Sequence, residues 1–150
     1  EKPLELPEIE LLEELEADHI LTDLKACVQE RSFAAGQTIF KRGDPGDELF
    51  LIRRGIVRIL LPLGNGKHHN LATFARGNFF GDMAFLERGI RSADAVATMP
   101  TDLFVISRKD FDAASIRNPL LGVKIFARLA RTLAVRLRHT DNELRALQEA

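Results

Sequence analysis

Cysteine is almost absent from this chain: Cys27 is the only one in 150 residues. An internal disulfide framework is therefore excluded, and a reducing, cytoplasmic setting is expected. An excess of either charge is also missing, since 21 Lys and Arg face 22 Asp and Glu for a formal net charge of −1. That balance offers no bulk attraction to nucleic acid or to a membrane surface. No apolar run approaches the roughly 20 residues that cross a bilayer, and no signal peptide is visible. Histidine is scarce and badly placed for a metal. His68 and His69 are neighbours that would point to opposite faces of a strand, while His19 and His139 fall in helical stretches. No Ser-His-Asp, Cys-His or acid–base pair is arranged for catalysis, and Cys27 reads as a small core residue. The expectation is a domain that is not an enzyme and carries no resident cofactor or metal. The chain opens on Glu1 rather than methionine, so a piece of a longer polypeptide is expected, with room for a membrane-anchored parent.

What is present falls into three blocks within one expected domain over residues 1–150. From about residue 8 to residue 30, Ile9, Leu12, Leu15, Ile20, Leu24 and Val28 recur at mostly helical spacing, predicting an N-terminal amphipathic helix. From 31 to 107 the helical period gives way to short β-prone runs. These are Thr38–Phe40, Leu49–Ile52, Ile56–Leu60, Leu71–Phe74, Ala95–Ala97 and Leu103–Ile106, separated by turns such as Gly43-Asp44-Pro45-Gly46-Asp47 and Gly64-Asn65-Gly66. Many short strands with glycine turns predict an antiparallel β-barrel or jelly roll. From 108 to 150 helical spacing returns: a short helix from Arg108, stopped at Asn118-Pro119, then a long one from about Leu120. The class is α+β, mainly β.

Charge and apolar spacing at the two ends add detail. Residues 1–30 hold ten acids against Lys2 and Lys25, whereas Lys124 to Arg138 hold five bases and no acid. Two readings stand: solvated helix faces, or an acidic segment lying near a basic one. On the long helix Phe126, Leu129, Leu133, Leu137, Thr140, Leu144 and Leu147 are three or four apart. This seam predicts packing on the domain early and on a second chain later, as a homodimer.

The chemistry concentrates in residues 79–95. Asp82 to Glu87 reads as one helical turn after Gly81, and a helix start offers unpaired N–H groups and a positive dipole end to an anion. Gly81 lets the backbone approach such an anion. Arg91 and Ser92, on the following segment, supply a guanidinium and a hydroxyl that would complete a phosphate cradle.

Phe80-Gly81-Asp82-Met83-Ala84-Phe85-Leu86, followed by Arg91-Ser92-Ala93, resembles the phosphate-binding cassette of cyclic-nucleotide-binding domains, found in catabolite-activator-like regulators, kinase regulatory subunits and gated channels. Gly36-Gln37-Thr38-Ile39-Phe40-Lys41-Arg42-Gly43-Asp44 and Gly55-Ile56-Val57 are similar to that family's early strands and turns, so the resemblance spans roughly residues 10–145. It implies that Gly81 and the amides of Met83 and Ala84 face the cyclic phosphate of cyclic AMP or cyclic GMP, that Arg91 pairs with it, and that Ser92 adds a hydrogen bond. It also implies that Asp82 accepts from the ribose 2′-hydroxyl and that Thr140 contacts the purine, next to the plainer readings of Asp82 as a helix cap and Thr140 as a register-setting break. Ser92 does not decide the base.

Two departures stand out. Asp82 replaces the usual glutamate and is one methylene shorter; losing its hydrogen bond would cost about 1.5–3 kcal/mol, on the order of tenfold to a hundredfold in affinity. Ile90 replaces the common proline before the arginine. A degenerate domain of the same fold, acting only as a dimerisation or docking module, is the alternative reading. The helix-turn-helix of the family's transcription factors does not follow the long helix, so no nucleic acid partner is expected from this piece. The partner implied is instead a fused effector domain, for which Arg91-Ser92-Ala93-Asp94-Ala95 is similar to domains appended to bacterial sulfate-permease-type anion transporters, whose cytoplasmic part this would then be.

Overall fold

The computed structural model describes residues 2–5 and 21–149. Most of the expected N-terminal helix, with Ile9, Leu12, Leu15 and Ile20, lies outside the described residues. Within them the order is α1 (Leu21–Cys27), β1 (Val28–Phe33), β2 (Thr38–Phe40), β3 (Leu49–Arg54), β4 (Ile56–Gly64), β5 (Lys67–Ala75), β6 (Phe79–Phe80), α2 (Asp82–Glu87), β7 (Asp94–Ala97), β8 (Thr101–Ile106), α3 (Arg108–Arg117) and α4 (Pro119–Glu149).

Two four-stranded antiparallel sheets face each other, ordered β1-β8-β3-β6 and β2-β7-β4-β5. The jelly-roll expectation stands, but the closed barrel does not: among the described residues no ladder joins one sheet to the other. A second correction concerns the first block. Helix ends at Cys27 rather than Glu30, and Val28–Phe33 is an edge strand paired with β8, Val28 opposite Ile106 and Phe33 opposite Thr101. Four of its six side chains are exposed, so the alternation that marks a strand with one buried face is missing.

The centre of the first sheet is covered on both faces, which explains the unbroken apolar runs in β3 and β8. Phe50, Ile52, Leu103 and Val105 point between the sheets, together with Val57, Phe80 and Ala95. Leu49, Leu51, Phe104 and Ile106 point the other way, against Leu24, Phe85, Phe111, Leu121, Ile125 and Leu129 from the helices. Phe79 and Phe80 divide in the same manner, one to each core. β6 is therefore fixed from both sides, and α2 leaves it at a defined place. The far end of α2 is tied to α3 by Arg108, whose Nη1 donates to the Phe85 carbonyl at 2.7 Å.

The helix from Arg108 begins as its sequence suggests, with the Ser107 hydroxyl accepting from the Asp110 amide at 3.2 Å. α4 buries Leu121, Ile125 and Leu129. Past Arg136 it leaves the body of the domain: Leu137, Leu144 and Leu147 are 62%, 53% and 74% exposed.

Cys27 is buried at the end of α1, its thiol donating to the Leu24 carbonyl at 3.1 Å. Burial, with Asp110 adding to it, pushes the thiol up to about 11. At pH 8 the thiolate is then scarce and shielded. Alkylation by a charged maleimide is expected to track global unfolding in urea; rapid labelling of the native chain would contradict this burial.

Candidate functional site

A cleft of about 230 Å³ opens between the second sheet, α2 and α4. Its lining joins Phe40, Ile59, Ala72 and Phe74 from the strands to Phe80, Gly81, Asp82, Met83 and Ala84 from β6 and the start of α2. Arg91, Ser92 and Ala93 come from the segment before β7, and Leu133 and Arg136 from α4. Six of the seven residues singled out from the sequence therefore meet in one place. The seventh, Thr140, does not: it is exposed, and its hydroxyl donates to the Arg136 carbonyl one turn back at 3.1 Å. The contribution of α4 comes from Leu133 and Arg136 instead.

Gly81 sets up the polar end. Its φ is +77°, in the left-handed region, and it caps α2 with no side-chain hydrogen bond. A Cβ there would lie 2.9 Å from the Glu48 carbonyl, 2.9 Å from the Phe50 ring and 3.0 Å from Arg91 Nη1. Only glycine tolerates both the angle and the crowding. The first turn of α2, Asp82 to Ala84, lines the cleft beside it.

Arg91 is 4% exposed. Nη1 donates to the Gly81 carbonyl at 3.2 Å and Nη2 to the Glu48 carbonyl at 3.1 Å. The guanidinium also lies over the rings of Phe40 and Phe50, 4.3 and 5.3 Å from their centroids. Burial pulls its pKa down, with Glu48, Asp47 and Asp44 acting in the opposite direction from a distance. None of these carboxylates is paired with it. The Glu48 carboxylate is engaged by Arg31 at 2.6 Å. Two neutral carbonyls and two rings hold a full positive charge, and a buried cation in that state attracts an anion strongly.

Asp82 is 7% exposed and meets Arg136, whose Nη1 donates to Oδ1 at 3.3 Å. Nη2 of Arg136 donates to the Phe79 carbonyl, and its guanidinium lies 4.4 Å from the Phe74 ring centroid. α4 is thus tied directly to α2 and β6. Sequence reasoning counted Arg136 only as one of five bases. The usable signal was its position, three residues after Leu133 and four before Thr140, on the inner face of the helix. Ser92 lines the cleft and stays exposed, while Ala84 is buried and Met83 is half exposed.

In this jelly-roll sandwich a buried guanidinium lines an apolar cleft beside a helix start, an arrangement suited to a small anionic ligand. A family model described as a cyclic nucleotide-binding domain matches residues 30–118, and the chain belongs to that family. It is 41% identical over 133 residues to Glutaminase 1 of Bradyrhizobium diazoefficiens, covering 89% of this chain and 21% of that protein. It is 40% identical over 116 residues to the Cyclic AMP receptor protein of Thermus thermophilus, covering 77% of this chain and 52% of that one. Among solved structures, a cyclic nucleotide-binding domain from Methylobacillus flagellatus matches with TM-score 0.77 and 29% identity over 84% of this chain and 71% of that one. The chain therefore spans about half or less of the curated relatives it matches here. No described helix is long and apolar enough to cross a membrane, and the described residues contain no metal-binding cluster.

Proposed function

We propose that the cleft binds a 3′,5′-cyclic nucleotide and that the chain is a non-enzymatic sensor for it, working in the cytoplasm. The observation that carries this reading is the buried guanidinium of Arg91, held by two backbone carbonyls beside the start of α2. Charge counting favours a phosphodiester. Asp82 and Arg136 pair with each other, so Arg91 is the cation of the lining left to meet a ligand. A cyclic phosphodiester brings one negative charge; a monophosphate ester brings nearly two near neutral pH, and the second would sit unpaired against apolar walls.

In this arrangement the cyclic phosphate accepts from Arg91, from the amides of Met83 and Ala84, and from the Ser92 hydroxyl. Asp82, with Oδ1 held by Arg136, accepts from the ribose 2′-hydroxyl. The base lies against Phe74, Ile59 and Leu133 rather than near Thr140, which in this geometry serves its own helix. The Thermus relative is named for cyclic AMP, which makes cyclic AMP the first ligand to try and cyclic GMP the second. Calorimetric titration with each tests the reading. One saturable site supports it, and a flat isotherm with both would leave a docking module of the same fold.

Occupancy reaches the rest of the protein through α4. A ligand touching both Asp82 and Arg136 favours the helix position that satisfies both, and that population shift is passed on. The exposed seam of Leu137, Thr140, Leu144 and Leu147 suits a second copy, and a longer parent would supply the effector. Saturating ligand is expected to slow amide exchange in α4 beyond Leu137. Unchanged exchange there, measured by mass spectrometry, would exclude this coupling.

A further inference from the structure

We propose that the turn Gly43–Asp47 is the part of this chain that sets the direction of Arg91, and that Gly46 is its positioning residue. The inference rests on the cyclic-nucleotide reading for its functional consequence, but not for its geometry.

The turn grips the segment before Arg91 through the backbone. The Arg91 amide donates to the Asp44 carbonyl at 2.9 Å, the Gly43 amide donates to the Arg91 carbonyl at 2.9 Å, and the Gly46 amide donates to the Gly89 carbonyl at 3.3 Å. Pro45 and Ile90 form an antiparallel bridge between these bonds. The turn is thus a short strand partner for residues 89–91. It supplies the stiffness that a proline in place of Ile90 would supply through its ring.

The turn also meets the guanidinium itself. A Cβ on Gly46 would lie 2.8 Å from Arg91 Nε, 3.0 Å from Nη2 and 3.2 Å from Cζ. Those distances leave no room for a methyl group, so the bare backbone of Gly46 borders the Nε–Nη2 edge of the guanidinium, whose Cζ lies 4.3 Å from the Phe40 ring centroid. The φ of Gly46 is not in the left-handed region, so an alanine there meets no backbone penalty. The three atoms nearest the added methyl group all belong to Arg91. The guanidinium is thus held among the Phe40 and Phe50 rings, the Gly81 and Glu48 carbonyls and Gly46. A methyl group at Gly46 would tilt it off the Glu48 and Gly81 carbonyls.

The test is a double-mutant cycle on the intact chain. Gly46→Ala is expected to lower affinity for cyclic AMP, or for cyclic GMP if that is the tighter ligand, by about tenfold or more, with little change in melting temperature. In an Arg91→Ala background, which lacks the Nε, Cζ and Nη2 that the methyl group would strike, the same change should cost under about twofold. Equal cost in both backgrounds, or unchanged affinity in the first, overturns the proposal. Without any ligand, the Arg91 Nε–H resonance should shift in Gly46→Ala while the methyl signals of Val57 and Leu103 stay in place; an unmoved Nε–H also overturns it. That second reading holds even if neither nucleotide binds, so a failed sensor and a failed clamp give different results. Should Gly46→Ala unfold the chain, Arg91→Ala must restore folding, and no restoration is again a refutation.

Discussion

Arg91→Ala is expected to weaken cyclic-nucleotide binding by on the order of a hundredfold to ten-thousandfold while leaving the fold intact. The guanidinium can place two charge-assisted hydrogen bonds on a phosphate, each worth about 1.5–3 kcal/mol, and every 1.4 kcal/mol is tenfold. The structural cost is partly self-cancelling. Alanine leaves a gap between Phe40 and Gly46 and removes donors from the Gly81 and Glu48 carbonyls. It also removes a buried charge that makes no direct ion pair with a carboxylate, and relief of that desolvation offsets part of the loss. Calorimetry with the variant checks the first half, and thermal melting of the ligand-free chain checks the second. A variant that binds within a few-fold of the parent would show that the phosphate lies elsewhere.

Gly81→Ala is expected to damage both stability and binding, which separates it from Arg91→Ala. A non-glycine residue at φ +77° costs roughly 1–2 kcal/mol. The new methyl group would press on the Glu48 carbonyl and the Phe50 ring, both 2.9 Å away, and overpacking of this kind costs about 1–3 kcal/mol. Together these predict a loss of about 2–5 kcal/mol, read from the urea midpoint at constant m-value. Binding should suffer as well, because any relief moves Gly81 and carries the first turn of α2 with it. Unchanged stability would contradict the left-handed corner at Gly81, and with it the cradle.

The difference between these two variants follows from how the site is built. Arg91 is a guest in a preformed slot, whereas Gly81 is part of the slot wall. The same distinction explains what could be read from the chain before its structure. α2 was legible because Gly81 interrupts a β-prone stretch and Asp82–Glu87 then follows a helical rhythm, a purely local signal. The stop at Asn118-Pro119 was legible for the same kind of reason: the ring of Pro119 disfavours helix at the residue before it.

Features that depend on distant partners were not legible. β1 carries Val28 at helical spacing from Leu24, and four of its six side chains face solvent, so only its pairing with β8 makes it a strand. Whether eight short strands close into a barrel or stop as two sheets is decided by ladder partners, which composition and turn residues do not name. Arg136 looked like one more surface base because its partners, Asp82 and the Phe79 carbonyl, lie 54 and 57 residues away. Thr140 drew attention as the one polar residue in an apolar seam, yet the domain ends before the helix reaches it. The contact between Gly46 and Arg91 joins two loops and leaves no trace in periodicity.

Arg91 gives the cleft a buried positive charge matched to the single negative charge of a cyclic phosphate. Thermal melting of the intact chain with cyclic AMP, cyclic GMP and 5′-AMP, each in large excess, tests it most directly. At a hundred times Kd a ligand adds about 2.7 kcal/mol to stability, so at least one cyclic nucleotide should raise Tm by several degrees while 5′-AMP leaves it nearly unmoved. Equal shifts from 5′-AMP and the cyclic forms, or no shift from either cyclic form, would contradict it.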